Sequence, residues 1–378
     1  MEDRHLTLSQ DYKVASEVYR HVDPLNFYEN FLNEGIRPDG RKLCSYRKTS
    51  VKDLINSTFS SDDFSSNTRS FKHELNSNKQ FLRELKKVLI SSIYLTCGNS
   101  HYNCKLMGDL MILEDLPAIF QNTDVFSVSV LLPKHVVNEV YDINGPCINI
   151  THLVSDLIEK VLNSSEIVPR DQFCYDILTS SLFESQQDDP ILKYLNKNKL
   201  RWKLSMEIAC DEYDGNLLDM CFLACSYCLL YSKFPFILLY PESNQFYPSI
   251  LNKAKLEHVL SQDREILCMN NSFLKCQFGS QFSLDRLEKF LLNDDNKRIS
   301  INYVPYTVTF CKCLNYYLLD PTREDEQIGV NFSIYSLKKF DSEEVHLQPL
   351  NLMGLTGVVD DDLNKMYDIA RVIVKSFQ

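Results

Sequence analysis

Two segments near the middle of the chain show clear patterns of apolar and polar positions. Residues 148–162 repeat apolar side chains at intervals of three and four, which predicts an amphipathic helix with one buried side. Residues 201–210 alternate polar and apolar side chains, which predicts a strand with one buried face. A turn sequence at 213–216 separates this strand from a long apolar run.

The longest apolar run covers residues 220–240, about the length that a membrane-spanning helix needs. Lys233 and Pro235 interrupt it, and proline cannot continue a helix. We therefore predict a helix up to Tyr231, a turn, and a strand at 236–240 rather than a membrane segment. Because this helix is apolar on all sides, it must also be covered on all sides.

The last third of the chain is rich in strand patterns. Residues 301–310, 312–319 and 329–337 predict three strands joined by short turns, as in an antiparallel sheet. Pro305 makes the first of them a candidate for a sheet edge, because proline donates no backbone hydrogen bond. Residues 360–374 predict a helix with an acidic first turn. Strands and helices in mixed order indicate an α+β or mixed α/β fold class.

The chain begins with a polar leader of mixed charge at residues 1–23. A short helix is predicted at 24–32, with Asp23 as its N-cap and Pro24 at its first position. Gly35 follows it and suits a left-handed position at the end of a helix.

Two later stretches are too polar to bury much of their surface. They predict insertions at about 56–90 and 243–297, with helical periodicity inside them at 81–89, 254–260 and 284–292. The length of 378 residues suggests two or three domains, but such insertions also fit one enlarged domain.

Composition restricts the possible functions. The formal net charge of −11 argues against a free-standing nucleic-acid binder, because phosphate neutralisation needs clustered Lys and Arg. Thirteen cysteines without regular spacing, and a first segment without the apolar stretch of a secretory signal, favour reduced thiols inside the cell. Any contact with RNA is then expected to be local or shared with other proteins.

The cysteines are the first candidates for a metal site. Cys221, Cys225 and Cys228 share one face of the apolar helix, whereas zinc sites usually pair cysteines two to four positions apart on loops. We interpret them as core residues, and also Cys311 and Cys313 on one strand face. The ten glycines form no phosphate-binding loop motif. The sequence therefore predicts neither a metal site nor a bound cofactor.

Two further groups have possible chemistry. His152 and Asp156 lie one turn apart on the amphipathic helix, but no Ser or Cys nucleophile motif is near, which favours a surface or capping histidine. The acidic run 320–326 follows an apolar strand, where carboxylates can hold a divalent metal for phosphoryl chemistry. From the residues alone, a solvated turn is the favoured interpretation of this run.

Several short motifs together resemble the RNase PH family. The first is 35–41, Gly-Ile-Arg-Pro-Asp-Gly-Arg, followed by Tyr46 and Arg47. The others follow in the family's order, at 98–100 with Cys104, 213–219, 319–322 and 354–357. Their signature positions are Arg37, Asp39, Gly40, Arg41, Gly98, Asn99, Asp214, Gly215 and Asp320. The resemblance covers the chain from about Pro24 to its end.

This resemblance implies one domain over 24–378 with a β-α-β architecture like that of ribosomal protein S5 domain 2, carrying the two polar insertions. It also implies which positions to inspect for activity. Active relatives carry two arginines for RNA phosphates on the helix before the central strand, where this chain has Asp156 and Glu159. Carboxylates repel phosphate.

Two further family elements are altered. After the Asp-Gly turn, active relatives bind inorganic phosphate with a Thr or Ser and an Arg, where this chain has Leu217 and Leu218. They also hold two carboxylates six residues apart for metal or acid-base work at the scissile phosphate. Glu326 matches the first, but the second falls on Phe332, and the neighbouring Asn331 is no substitute acid.

The resemblance thus implies a non-catalytic subunit of the RNA exosome ring, in nucleus, nucleolus and cytoplasm. Expected partners are other RNase PH-like subunits in a hetero-hexamer, RNA-binding cap subunits, a separate catalytic nuclease and RNA in a shared channel, with no membrane. Two alternatives are a phosphate-dependent 3'-5' exoribonuclease and an RNase PH-like scaffold outside the exosome, such as a homodimer.

Overall fold

The computed structural model describes residues 18–54, 87–112, 124–133, 150–176, 199–234, 236–240, 245–249, 267–270, 273–277, 298–350 and 360–377. The described helices are α1 (Pro24–Asn33), α2 (Ile150–Leu162), α3 (Leu217–Leu230), α4 (Arg323–Ile328) and α5 (Asp360–Ser376). The described strands are β1 (Thr49–Asp53), β2 (Lys87–Cys97), β3 (Ser100–Ile112), β4 (Phe126–Leu131), β5 (Cys174–Asp176), β6 (Lys199–Glu212), β7 (Phe236–Tyr240), β8 (Gln245–Ser249), β9 (Leu267–Asn270), β10 (Phe273–Gln277), β11 (Tyr303–Cys313), β12 (Tyr316–Leu319), β13 (Val330–Lys339) and β14 (Val345–Leu350).

The largest sheet has the strand order β1-β2-β3-β6-β4, with β5 also paired to β6. Its strands are antiparallel except β4 and β6, which run parallel and are connected through α2. Parallel neighbours need such a crossover, so these three elements form a β-α-β unit. The predicted α+β class with β-α-β architecture is confirmed.

A second, antiparallel sheet has the order β12-β11-β13-β14. Helix α3 lies between the two sheets and contacts β2, β3 and β6 on one side and β11 on the other. Phe222 of α3, for example, packs against Tyr335 of β13 with ring centroids 5.9 Å apart. This position explains why α3 is apolar around its whole circumference, and the prediction that it is covered on all sides is confirmed. Helix α5 contacts β11, β13 and β14.

The strands of the second sheet differ in detail from the prediction. Strand β11 continues to Cys313, and its turn falls at 314–315, inside the strand that was predicted at 312–319. Among the described strands, β13 alone pairs with β11 at Pro305, and Ser226 of α3 donates to the Pro305 carbonyl at 2.5 Å. This part of β11 is therefore a sheet edge covered by a helix, as the proline indicated.

The predicted insertions contain strands. Residues 87–89, predicted as the end of a helix, belong to β2, so 87–90 of the first predicted insertion lie in the large sheet. In the second, β8, β9 and β10 join β7 in a third sheet of order β10-β9-β7-β8. The strand predicted at 236–240 is confirmed. The patterns at 254–260, 284–292 and 354–357 lie outside the described residues.

Helix α1 joins the start of the described chain to its last third. The carboxylate of Asp23 accepts the Asn26 N–H at 3.4 Å, which confirms the predicted N-cap. Phe27, Tyr28 and Leu32 of α1 pack in a small core with cysteines of β11. No described helix is both long and apolar enough to cross a membrane.

Candidate functional site

The carboxylate of Asp320 is the point at which the sequence motifs meet. Arg47 donates to it from Nε, Nη2 and its backbone N–H, each at 2.9 Å. Arg41 Nη1 donates at 3.1 Å and Asn216 Nδ2 at 2.8 Å. Burial opposes ionisation of Asp320, but the hydrogen bonds and charge of Arg47 outweigh it and hold the pKa of Asp320 below its ordinary value. The interpretation of the acidic run as a solvated turn is therefore wrong.

The first motif supplies the supports around this carboxylate. Arg37 is fully buried and donates to the Leu319 carbonyl at 2.7 Å and to the carboxylate of Asp325. Asp39 accepts the backbone N–H of Arg41 at 2.9 Å and its Nε at 2.7 Å, which orients Arg41 towards Asp320. The motif that carries the resemblance therefore acts as a clamp on the Asp-Pro turn.

The turn between β2 and β3 and the Asp-Gly turn lie against Arg47. Arg47 Nη1 donates to the Asp214 carbonyl at 2.6 Å, and Ser100 Oγ accepts the Asp214 N–H at 2.9 Å. Gly98 has φ of +57°, and a Cβ there would lie 2.9 Å from Arg47 Cδ. Glycine is needed here both for its backbone conformation and for this close approach. Asn99 is exposed beside it.

Helix α3 begins at the position where the sequence resemblance places phosphate-binding side chains. Gly215 and Asn216 have positive φ values of 83° and 60°, so the chain turns sharply into the helix. The backbone N–H of Asn216 donates to Glu326 Oε1 at 2.8 Å. The next two side chains, Leu217 and Leu218, pack against the hydrophobic core. Neither leucine can donate a hydrogen bond or carry charge to a phosphate.

Glu326 is occupied by hydrogen bonds, and the position six residues later holds Phe332 in place of a carboxylate. Besides the α3 contact, it accepts Tyr213 Oη at 2.7 Å and Asn331 Nδ2 at 3.3 Å. Burial raises the pKa of Glu326. Phe332 is buried and stacks on Phe310 with centroids 5.5 Å apart. Because neighbouring strand residues point to opposite faces, the residue that faces Glu326 is the amide Asn331.

Asp219 is a buried carboxylate at the start of α3 that sequence reasoning missed. It accepts Thr309 N–H at 2.8 Å, Thr309 Oγ1 at 2.7 Å and Asn216 Nδ2 at 2.9 Å. None of these donors is a cation. Burial, opposed by these hydrogen bonds, raises the pKa of Asp219 to about 6. Asn216 thus connects three carboxylates, those of Asp219, Asp320 and Glu326.

We expect Asp219→Asn to stabilise the protein at pH 7.5 by about 1–3 kcal/mol, because the neutral amide avoids burying a charge. A folded-state pKa above the unfolded value means that protonation favours the folded state. Wild-type stability from Asp219 should therefore rise as the pH falls from about 7 through about 6 and level off below the ordinary aspartate value of 3.8. Urea denaturation at several pH values measures this change in unfolding free energy. The Asp219→Asn variant should gain less stability as the pH falls, because the gain from Glu326, whose pKa burial also raises, would remain without that of Asp219. A variant with the wild-type slope would contradict the assignment.

The two carboxylates predicted on the amphipathic helix have different environments. Asp156 and the nearby His152 are exposed on α2, which confirms a surface histidine. Glu159 instead belongs to a ladder of polar side chains, from α2 and from Asn163 directly after it, that accept backbone N–H groups of β4. Ser155 accepts from Val130, Glu159 from Val128 and Asn163 from Phe126, each at 3.0 Å. Four residues along a helix and two residues along a strand each advance about 6 Å, so every fourth residue of the helix can meet every second residue of β4. This ladder covers the edge of the large sheet.

We expect Asn163→Ala to lower the free energy of unfolding by about 1–3 kcal/mol. Asn163 accepts the buried N–H groups of Val125 and Phe126, both at 3.0 Å, and alanine would leave both unsatisfied. Asp156→Ala is the matched control and should change stability by less than about 0.5 kcal/mol, because Asp156 is exposed. Equal effects in thermal or urea denaturation would show that the ladder does not stabilise β4.

The cysteines have a packing role in the described structure. Cys221, Cys225 and Cys228 are fully buried in the main core, and burial raises the pKa of the Cys221 and Cys225 thiols. Cys311 and Cys313 pack in the small core below α1. Within the described ranges, no group of three or more His, Cys, Asp or Glu residues has a geometry suited to a metal ion.

Sequence reasoning found the segments of this site but not all of its side chains. The contacts of Asn216 and Asp219 were missed, although both lie inside the motif at 213–219. The position of Asn216 directly after Gly215 at a helix start could have indicated a sharp turn there, since Asn tolerates a left-handed backbone. Another was the Asp in the first turn of an otherwise apolar helix, because a buried carboxylate requires partners.

Two of the solved structures that the chain resembles are from archaeal exosomes, and no family model matches the chain. A chain of the Archaeoglobus fulgidus exosome with RNA bound to the active site is 15% identical, with a TM-score of 0.48, over 97% of this chain and 100% of that chain. A chain of an archaeal exosome core is 13% identical, with a TM-score of 0.46, over 97% of this chain and 98% of that chain.

Proposed function

We propose that this chain is an RNase PH-like subunit of an RNA exosome ring that does not itself catalyse phosphorolysis. The observation that carries the proposal is the use of the motif arginines in internal contacts. Arg41 and Arg47, two arginines of the motifs, are both bound to Asp320. They are therefore engaged in the fold instead of being available to a substrate phosphate.

The start of α3 is also unsuited to an anion. Leu217 and Leu218 stand where the resemblance places phosphate donors, and the two nearby carboxylates of Asp219 and Glu326 are joined to Asn216. A phosphate would have to approach this negative charge. Chemistry that needs a second carboxylate next to Glu326 would find the amide of Asn331.

In this proposal the subunit forms part of the wall of a channel through which RNA reaches a separate 3'-5' exonuclease, in rRNA maturation and mRNA decay. Its partners would be other RNase PH-like subunits in a hetero-hexamer and the RNA-binding caps. The leader at 23–32, the turn at 214–219 and the segment 354–357 favour the ring subunit called ribosomal RNA-processing protein forty-three. Placement in nucleus, nucleolus and cytoplasm follows from that resemblance.

The catalytic part of the proposal is tested by incubating purified protein with oligoadenylate, inorganic phosphate and magnesium. We expect no phosphate-dependent release of nucleoside diphosphate. The alternative, a phosphate-dependent exoribonuclease, rests on the one family carboxylate that remains, Glu326. Release that is abolished by Glu326→Ala would establish that alternative and overturn our proposal.

The structural part is tested by affinity purification from the source cells followed by mass spectrometry. A ring subunit should bring down the other RNase PH-like chains, the caps and a nuclease in stable proportion. Isolation of the chain alone, or as a homodimer, would contradict membership of the ring while leaving the lack of phosphorolysis as a separate result.

A further inference from the structure

The two-residue loop between β11 and β12 holds a leucine in a backbone conformation that leucine rarely adopts. The last pair of the two strands is Cys313 with Tyr316, so the loop consists of Leu314 and Asn315. Leu314 has a φ of 54°, in the left-handed region, where a Cβ crowds the backbone. Short hairpin loops normally have Gly, Asn or Asp at such a position. The backbone of this loop is therefore strained at Leu314.

Comparison with the other residues of this conformation shows that Leu314 is the exception. Among the described residues, the other non-glycine positions with positive φ are Asn216, Asp320 and Asp341. Asn and Asp tolerate the left-handed region because their short polar side chains form local hydrogen bonds. A leucine side chain forms none, so a gain that offsets the strain has to come from apolar contact.

The described part of this chain does not supply that contact. Leu314 belongs neither to the main core nor to the small core below α1, and 39% of it is exposed. Val330, the first residue of β13, lies at the same end of the second sheet, where it pairs with Lys312, and it is 58% exposed. Burial against another apolar surface would stabilise both aliphatic side chains.

The surroundings of Leu314 indicate which kind of surface fits. Asn315 is exposed and uncharged, and Tyr316 Oη donates to Asn33 Oδ1 at 2.8 Å. The amino group of Lys312 lies over the Tyr317 ring, 5.8 Å from its centroid. An apolar side chain with uncharged polar neighbours resembles the centre and rim of a protein interface. RNA binding would instead need clustered cations.

We propose that Leu314, at the tip of the β11–β12 hairpin, inserts into an uncharged, apolar pocket of an adjacent RNase PH-like subunit. This inference rests on the proposed function and names one contact through which the chain holds its neighbour in the ring. Full burial of a leucine side chain changes an equilibrium constant by about tenfold or more, which is enough to offset the strained backbone.

The test uses the full chain with an affinity tag, purified from the source cells as wild type, Leu314→Asn and Leu314→Met. Mass spectrometry measures the amount of each other RNase PH-like chain per mole of tagged chain. Leu314→Asn should bring down at least one of these chains about fivefold less, whereas Leu314→Met keeps the apolar bulk and should retain most of it. The loss should be the same at about 0.1 and 0.5 M KCl, because salt does not screen an apolar contact.

A second measurement separates loss of docking from misfolding. Asn relieves the backbone strain, so Leu314→Asn should raise the thermal midpoint of the purified chain by about 1–2 °C. A lowered midpoint would show that Leu314 packs within its own chain and would overturn the proposal. Leu153 is the matched control, because it is also 39% exposed but lies in α2. Leu153→Asn should lower the midpoint slightly, since Asn is a poorer helix former, and leave co-purification unchanged.

The outcomes distinguish this inference from the proposed function. Undiminished co-purification with Leu314→Asn, or an equal loss with Leu153→Asn, would overturn the docking of Leu314 and leave ring membership intact. Wild-type protein that brings down no other RNase PH-like chain would overturn ring membership, and the docking of Leu314 with it.

Discussion

Asp320→Ala is expected to lower the free energy of unfolding by about 3–5 kcal/mol, as measured by urea denaturation. The change removes the acceptor of five described hydrogen bonds and leaves the guanidinium of Arg47 buried, with only 6% of its side chain exposed. A buried charge that loses its partner costs far more than the pair contributed. Asp320→Asn should be less harmful, because the amide oxygen still accepts hydrogen bonds.

The control for this prediction separates charge from backbone conformation. Asp320 has a positive φ of 50°, and Asp341 has a similar φ of 57° but is exposed in a turn. Asp341→Ala should therefore cost only the penalty of the left-handed conformation, about 1–2 kcal/mol. If the two alanine variants are equally stable, the Asp320 network does not contribute beyond its backbone.

The pH dependence gives a second measurement of the same network. The pKa of folded Asp320 lies below the unfolded value, so its stabilising contribution is fully present above the ordinary aspartate value of 3.8. It is lost as the pH falls through the lower, folded value. Wild-type protein should therefore lose its advantage over Asp320→Asn in strong acid, which is opposite in direction to the expected behaviour of Asp219.

Gly215→Ala is expected to cost about 3–5 kcal/mol in unfolding free energy, because it adds a steric clash to an unfavourable backbone conformation. A Cβ on Gly215 would lie 2.4 Å from Arg323 N and from the carbonyl carbon of Thr322. Both are backbone atoms at the start of α4, so no side-chain rotation can relieve the clash. The Asp-Gly turn and the Asp-Pro turn would have to separate.

Gly40→Ala is the matched control for this substitution. Gly40 has the same φ of 83°, but a Cβ there would have nothing within 4 Å. It should cost about 1–2 kcal/mol, the penalty for the backbone conformation alone. Thermal denaturation of the two variants then isolates the steric part. A Gly215→Ala variant no less stable than Gly40→Ala would show that the two turns do not pack closely.

Elements with one dominant pattern could be predicted from the sequence, and β2 shows why others could not. The long apolar run gave α3 and the alternation at 201–210 gave β6, because each pattern has a single interpretation. In β2 the register shifts between Leu89 and Ser91, so buried positions change from even to odd along one strand. A strand whose buried positions change in this way lacks the simple alternation by which strands are recognised. Residues 87–89 of β2 therefore did not contradict the helix predicted at 81–89.

The motifs identified the segments of the candidate site, but not the use of each side chain. The role of Glu159 depends on the unpaired N–H groups of β4, and a sequence does not show which strand lies at an edge. The hydrogen bonding of Asp219 likewise could not be predicted from local sequence, because its donor Thr309 lies ninety positions away along the chain. The acidic run was wrongly assigned to solvent because its arginine partners lie almost three hundred residues earlier. Charge patterns predict exposure only when no distant partner exists.

The ion pair between Arg37 and Asp325 also affects the order in which parts of the protein can fold during synthesis. These residues are separated by 288 positions along the chain. At synthesis rates of about 5–20 residues per second, the arginine emerges roughly 15–60 s before its acceptor. During that interval its guanidinium must stay in water, and the first motif cannot adopt its final arrangement. The last third of the polypeptide therefore decides when the motif at 35–41 reaches its final arrangement.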